Sequence, residues 1–198
     1  MKTIVNEHVE INIYQRAKSG NVESGDAYFY HAEEDYFICA IADGLGSGPI
    51  ARQSAEIIPA VIKEHHSESL DELLNRCNEY MIQKRGAAVA VVKIDYRNKV
   101  IQYSCVGNVR FYMLQDGKKM IYPLPVMGYL SGRPQKTNTQ EYEYHLGDMF
   151  FFHSDGIQLP NPKTMLKESR CLTQLSQAVI KTINYDDDAT FIAGSLLQ

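Results

Sequence analysis

The chain has 198 residues, 44% of them hydrophobic and 22% charged, with 24 acidic against 20 basic side chains and a net charge of −4. That length suits one domain with a sizeable core, expected to span residues 1–198, and ordinary charge and aromatic content exclude wholesale disorder. A mild acidic excess without a long basic block argues against a dedicated nucleic-acid binder, and no stretch approaches the roughly 20 apolar residues of a membrane helix.

The N-terminus, Met1-Lys2-Thr3-Ile4-Val5-Asn6-Glu7-His8, turns polar at once and has no hydrophobic leader, so a cytoplasmic protein is expected, with neither nucleic acid nor membrane as partner. Val9 to Tyr14 alternates apolar and polar, the period of a half-buried strand. Ala27 to Ala32 and Tyr36 to Ala42 read as two more strands around the acidic turn Glu33-Glu34-Asp35. After Gly48-Pro49 the apolar positions Ile50, Ala51, Ala55, Ile58, Val61 and Ile62 recur at helical spacing, with Ser47 placed to cap. A second helix is expected from Ser69 to about Gln83, with Leu70, Leu73, Leu74, Cys77 and Met81 on one face.

Strand patterns then return over Ala87 to Ile94, Val100 to Val106, Arg110 to Leu114, Gln140 to His145 and Met149 to His153. A last helix fits Cys171 to Ile183, and Ala189 to Leu197 closes the chain as a strand. Strands follow one another instead of alternating with helices. The pattern therefore points to α+β: an αββα sandwich of two antiparallel sheets flanked by helices. Cys39, Cys77, Cys105 and Cys171 are far apart and set among apolar residues, which suits reduced, buried thiols.

Two apolar strands stop abruptly at an Asp-Gly pair, at Asp43-Gly44 and at Asp155-Gly156. A turn explains either pair alone, because Asp-Gly is a common strand terminator. Asp26 also lies at a strand start, and the triplet Asp186-Asp187-Asp188 directly precedes the last strand. Three adjacent carboxylates repel unless solvated, protonated or neutralised by a cation, and solvation in a loop explains the triplet alone. Together, Asp26, Asp43, Asp155 and Asp187 fall at strand ends that could converge on one rim of a sandwich. An all-oxygen set without Cys or His suits magnesium or manganese better than zinc or copper.

Gly44-Leu45-Gly46-Ser47-Gly48-Pro49 invites other readings, and each fails on spacing. Pro49 stands where a dinucleotide fingerprint needs glycine, the Lys-Ser/Thr ending of a P-loop is absent, and Ser47 misses the frame of a nucleophile elbow.

The ordered set Gly25-Asp26, Ala42-Asp43-Gly44-Leu45-Gly46, Val106-Gly107-Asn108, Ser154-Asp155-Gly156 and Asp187-Asp188-Ala189-Thr190 resembles the PPM (PP2C-like) serine/threonine phosphatases, over almost the whole chain. Lys84-Arg85-Gly86-Ala87, Val109-Arg110-Phe111, Tyr122-Pro123-Leu124-Pro125 and Gly128-Tyr129-Leu130-Ser131-Gly132 narrow it to the small feedback phosphatases of the bacterial stressosome within that family.

The resemblance implies two divalent cations, Mn2+ or Mg2+, and hydrolysis of phosphoserine or phosphothreonine by a metal-activated water. Asp43 matches the aspartate that bridges the cations, Gly44 the residue whose carbonyl reaches the second, and Asp155 and Asp187 the carboxylates of the first. Asp188 stands where the family often has Asn, supporting the ligands without joining them. Asp26 matches an acidic position beside the metals, acting directly or through water, while Gly25 stands where larger members have a ligating Glu. Asn21 replaces a phosphate-gripping Arg, Leu45 a His that protonates the leaving group, and Asn108 an Asp linked to a third metal. These departures imply slower chemistry on small esters and more reliance on docking of the substrate. Arg110 and Lys84-Arg85 are candidate phosphate or partner contacts, although solvated surface charge is the simpler reading.

By the same resemblance the substrate is a phosphorylated STAS-domain scaffold protein of the stressosome, and its hydrolysis gives negative feedback on the general stress response. A free anti-anti-sigma factor is the alternative substrate, and a catalytically inactive phosphoprotein-binding module is the alternative of another class.

Overall fold

The computed structural model describes residues 1–197; Gln198, the last residue of the expected domain, lies outside them. In chain order the strands are β1 (Lys2–Val5), β2 (Val9–Arg16), β3 (Asp26–Ala32) and β4 (Tyr36–Gly44), followed by helices α1 (Gly48–Ala55), α2 (Ile57–His65) and α3 (Leu70–Glu79). Then come β5 (Ala87–Asp95), β6 (Val100–Val106), β7 (Arg110–Gln115), β8 (Lys119–Ile121), β9 (Gln140–Glu143) and β10 (Met149–His153). Helices α4 (Pro162–Glu168) and α5 (Leu172–Ile180) and strand β11 (Ala189–Leu196) complete the order.

Two sheets form. One has six strands in the order β1-β2-β11-β10-β7-β8, the other five in the order β3-β4-β5-β6-β9, and every strand pair is antiparallel. The side-chain period of two explains how each sheet serves two cores. On β4, Phe37, Cys39 and Ile41 join Tyr103, Phe111, Phe150, Phe152 and Ile192 between the sheets, while Ile38, Ala40 and Ala42 pack under α2 and α3 against Ile58, Ile62, Leu73 and Leu74. On the other side Phe151, Phe191 and Ala193 pack against Leu166, Leu172, Leu175 and Val179 of α4 and α5. The result is the helix-sheet-sheet-helix layering that the strand order implied. Truncating one of the inter-sheet rings, such as Phe111→Ala, costs about 3–5 kcal/mol by the usual cavity scale.

The helices start where local chemistry allows. Ser69 and Glu72 form a reciprocal capping box on α3, and Asn161 caps α4 through the Thr164 N–H, with Pro162 in the first turn. Three details differ from expectation. The helix after Pro49 is broken at Glu56, because Pro59 brings no N–H to the helical bond that Ala55 would accept. Ser47 occupies the N-cap position of α1, but its side chain makes no capping bond. Cys171 is exposed at the start of α5, whereas Cys39, Cys77 and Cys105 are buried thiols as expected. Among the described residues, no helix is long and apolar enough to cross a membrane.

Candidate active site

The inter-sheet layer is apolar along most of its length and turns acidic at one rim. Asp43 lies two residues beyond Ile41 on β4, so it faces the same way, and Asp26 on β3 is its direct register partner. From the opposite sheet, Ser154 and Asp155 follow the end of β10, and Asp187 and Asp188 lead into β11. A small cavity at this rim is lined by Asp26, Asp43, Leu45, Gly46, Asn108, Asp155, Asp187 and Asp188. All four aspartates singled out in the sequence thus meet there, together with Asp188.

The two Asp-Gly pairs do more than end strands. A Cβ at position 44 would overlap the carbonyl of Ala51, and one at position 156 would overlap the carbonyl of Asp188. Each glycine therefore lets another backbone segment close over the rim: the first turn of α1 at Gly44, the 186–188 loop at Gly156. At Gly25 a Cβ would lie 2.9 Å from Asp188 Oδ2 and 3.1 Å from Ala51 Cβ. The space beside Gly25 is taken by the Asp188 carboxylate.

The carboxylates are held by hydrogen bonds across the sandwich. Ser154 Oγ donates to Asp26 Oδ2 at 2.7 Å and accepts from the Thr190 N–H at 3.0 Å, tying β3 to β10 and β11. Gln15 and Arg52 both donate to the Asp26 carbonyl, at 3.0 and 2.6 Å. Asn108 Nδ2 donates to Asp155 Oδ2 at 2.7 Å. Asp188 Oδ1 accepts from the Lys18 N–H at 2.9 Å, and Asp187 Oδ1 accepts from the Asp188 N–H, also at 2.9 Å.

These bonds do not neutralise the cluster. Burial pushes the Asp43 carboxyl up to about 9, reinforced by repulsion from Asp26, Asp155 and Asp187. Asp26 is pushed up to about 7 by burial and by the charges of Asp188 and Asp155, against the lowering effect of its Ser154 and Thr190 bonds. Such a set of hard oxygen donors, too close together to be ionised alone, fits divalent cations such as Mg2+ or Mn2+. Asp26, Asp43, Asp155, Asp187 and Asp188 would hold them.

Two arginines border the rim. Arg110 lines the cleft formed with Asn108, Tyr112, His153, Asp155 and Gln158, and also a more apolar one with Leu45, Tyr122, Met127 and Tyr129. Arg85 reaches from the loop before β5 to lie over Gly46, where Nη1 is 2.5 Å from the position a Cβ would take. His153 is buried and its Nδ1 bonds the Ser154 carbonyl; burial pushes its ring down to about 4. The motifs in the sequence contain Ser154 and Thr190 without giving them roles, and nothing in them points to Gln15, Arg52 or His153. Ser154 and Thr190 sit beside the acidic motifs, a signal that could have been used. Gln15 and Arg52 reach the site only through strand and helix packing.

Comparison with known proteins agrees with this geometry. The family profile described as Stage II sporulation protein E (SpoIIE) matches residues 33–195. The phosphoserine phosphatase RsbX of Bacillus subtilis (strain 168) is 38% identical over 192 residues, covering 96% of each chain. A crystal structure of RsbX in complex with magnesium superposes with a TM-score of 0.95 at 37% identity, over 98% of each chain. A structure from work described as "The bacterial stressosome: a modular system that has been adapted to control secondary messenger signaling" gives 0.85 at 31% identity, over 94% of this chain and 98% of that one. The catalytic domain of the serine/threonine phosphatase PstP with two manganese ions shares the fold alone, with a TM-score of 0.74 at 14% identity over 96% and 99% of the two chains.

Proposed function

Because this chain belongs to the SpoIIE/PP2C-type phosphatase family and is a hydrolase homologous to phosphoserine phosphatase RsbX, we propose that it removes phosphate from a phosphorylated STAS-domain scaffold protein of the stressosome. It acts in the cytoplasm, as a single catalytic unit spanning residues 1–198, and damps the general stress response. The observation that carries this reading is the meeting of Asp26, Asp43, Asp155, Asp187 and Asp188 at one rim of the sandwich, with the repulsion that meeting creates.

Two divalent cations, Mn2+ or Mg2+, supply Lewis-acid chemistry when bound: they acidify water and neutralise charge on the phosphoryl oxygens. Asp43, the backbone of Gly44, Asp155 and Asp187 would hold these cations. Asp188 fills the place beside Gly25, so a carboxylate from the loop before β11 stands in for one that position 25 does not carry. Ser154 holds Asp26 in place, and Asn108 orients Asp155, leaving their other oxygens for ligation. Arg110 and Arg85 border the acidic cavity, where they would meet a phosphate drawn to it. Leu45 cannot give a proton to the departing serine oxygen, so solvent provides it. The apolar cleft beside Arg110 excludes water from one side of the bound phosphoprotein segment.

The test is phosphate release from a purified phosphorylated STAS scaffold and from a phosphorylated free anti-anti-sigma factor, each with Mn2+ and with chelator. Faster, metal-dependent turnover of the scaffold is expected. A preference for the free factor would reassign the substrate, and binding without turnover would make the chain a phosphoprotein-binding module.

A further inference from the structure

The β3–β4 hairpin carries a second group of potential ligands at its turn end, far from the aspartates. His31 near the end of β3, Glu33 in the turn and His66 just after α2 bring one ligand atom each to within 4.8 Å of one another. His31 Nε2 lies 2.8 Å from Glu33 Oε1, and His66 Nε2 lies 3.9 Å from the same oxygen. In a tetrahedral zinc site with bonds of ~2.0–2.1 Å, neighbouring ligand atoms stand roughly 3.3 Å apart, a value between these two distances. The two imidazoles are tilted by 41° with centroids 4.3 Å apart, and the Nε2 atoms of both face the same Glu33 oxygen.

The support behind these ligands is already in place. Tyr36 Oη is 2.6 Å from His66 Nδ1, which leaves Nε2 as the free nitrogen and fixes the ring's orientation. Lys93 Nζ donates to the carbonyls of His66, Ser67 and Glu68 at 3.0, 3.3 and 3.1 Å and lies over the Tyr36 ring, pinning the loop that carries His66 to the sheet. Burial and the neighbouring His31 lower the His66 pKa, which favours the neutral ring a metal needs, while the hydrogen bond to His31 keeps Glu33 ionised. His31, Glu33 and His66 are all partly open to solvent, so an ion can enter and a water can complete its shell.

We propose that His31, Glu33 and His66 form a binding site for a borderline transition-metal ion, Zn2+ foremost, which clips the hairpin turn to the α2–α3 loop. Two imidazoles and one carboxylate are the donor set that zinc takes up readily and magnesium does not. This site shares no residue with the acidic rim, and its standing does not depend on the phosphatase reading.

The experiment is calorimetric titration of Zn2+ into the full chain held in excess Mg2+, so that the aspartate cluster is already supplied with its preferred ion. One Zn2+ per chain is expected beyond the Mg2+-loaded state, with a rise in melting temperature. Affinity should fall at least tenfold in His31→Gln and in His66→Gln and stay unchanged in Asp43→Asn. Co2+ should give the intense visible absorption of a low-coordinate site in the parent chain and lose it in His31→Gln. His31 is partly exposed near the end of β3 and outside the buried core, so that variant is expected to keep its fold, checked by far-ultraviolet circular dichroism. Absence of Zn2+ binding to the Mg2+-loaded chain, or equal binding by the parent and both histidine variants, would overturn the proposal.

Discussion

The two ends of the β3–β4 hairpin gather metal-ligating side chains of opposite character. At the open end, Asp26 and Asp43 face each other across the ladder, joined by Asp155, Asp187 and Asp188, and among the described residues no cationic side chain forms an ion pair with them. At the turn end, His31, Glu33 and His66 are partly exposed and satisfy one another, with Tyr36 and Lys93 behind them. One end is unstable to ionisation without an external charge, and the other is comfortable without it. On the proposed reading, one hairpin carries a hard-cation site where burial creates an electrostatic deficit and a softer site where two imidazoles and a carboxylate meet near the surface.

Asp43 carries the largest expected effect. Asp43→Asn should lower kcat/KM on a phosphoserine protein by about 100- to 1,000-fold, the scale of losing one preorganised electrostatic element. In chelator the same variant should melt higher than the parent, because it removes a buried carboxyl from a repelling group; a lower melting temperature would mean that Asp43 is structurally satisfied without cations. Arg110→Ala should cost about 10- to 100-fold in kcat/KM, mainly through KM, as expected for one charge-assisted contact to phosphate. An unchanged KM would return Arg110 to the status of a solvated surface charge.

Smaller effects concern the backbone. Gly156→Ala forces apart the ends of β10 and the 186–188 loop, and should destabilise the chain by about 1–3 kcal/mol, read as a fall in melting temperature. Mn2+ affinity should fall with it, since Asp155 and Asp187 move relative to each other. The mildest test is pH. Unfolded aspartates lose their protons near pH ~4, whereas Asp26 and Asp43 keep theirs to about 7 and about 9 in the folded chain. Between those values the native state binds more protons than the unfolded state, so stability in chelator falls as pH rises from about 4 through about 9. Saturating Mn2+ should flatten or reverse that slope, and melting curves at matched pH with and without chelator would measure it.

Much of this was legible in the sequence because the signals are local. Val100 to Val106 and Met149 to His153 match their strands end to end, and the acidic motifs sit at strand tips that the topology brings together. What the sequence does not announce depends on distant partners or on short segments. β1 and β8 are edge strands of four and three residues, completed only by pairing with β2 and β7, and α4 is a single short helix set by its Asn161 cap. Arg85 is a candidate contact from the sequence, but its place at the rim depends on the Leu45 N–H bonding the Gly86 carbonyl, between loops some forty positions apart. Asp188 was read as a supporting residue from its family position alone. Its burial beside Gly25 becomes visible only when β3 and β11 meet. The histidine cluster needs the end of α2 to pack over a hairpin turn, which no spacing in the chain announces.

If the aspartate rim is a cation-dependent phosphatase centre, Mn2+ occupancy and phosphate release must move together when both are measured on the same samples of purified chain acting on a phosphoserine protein. Release should rise in step with bound Mn2+, vanish in chelator, and be lost in Asp43→Asn along with part of the Mn2+ binding. Phosphate release that persists in chelator, or in Asp43→Asn, would contradict the account.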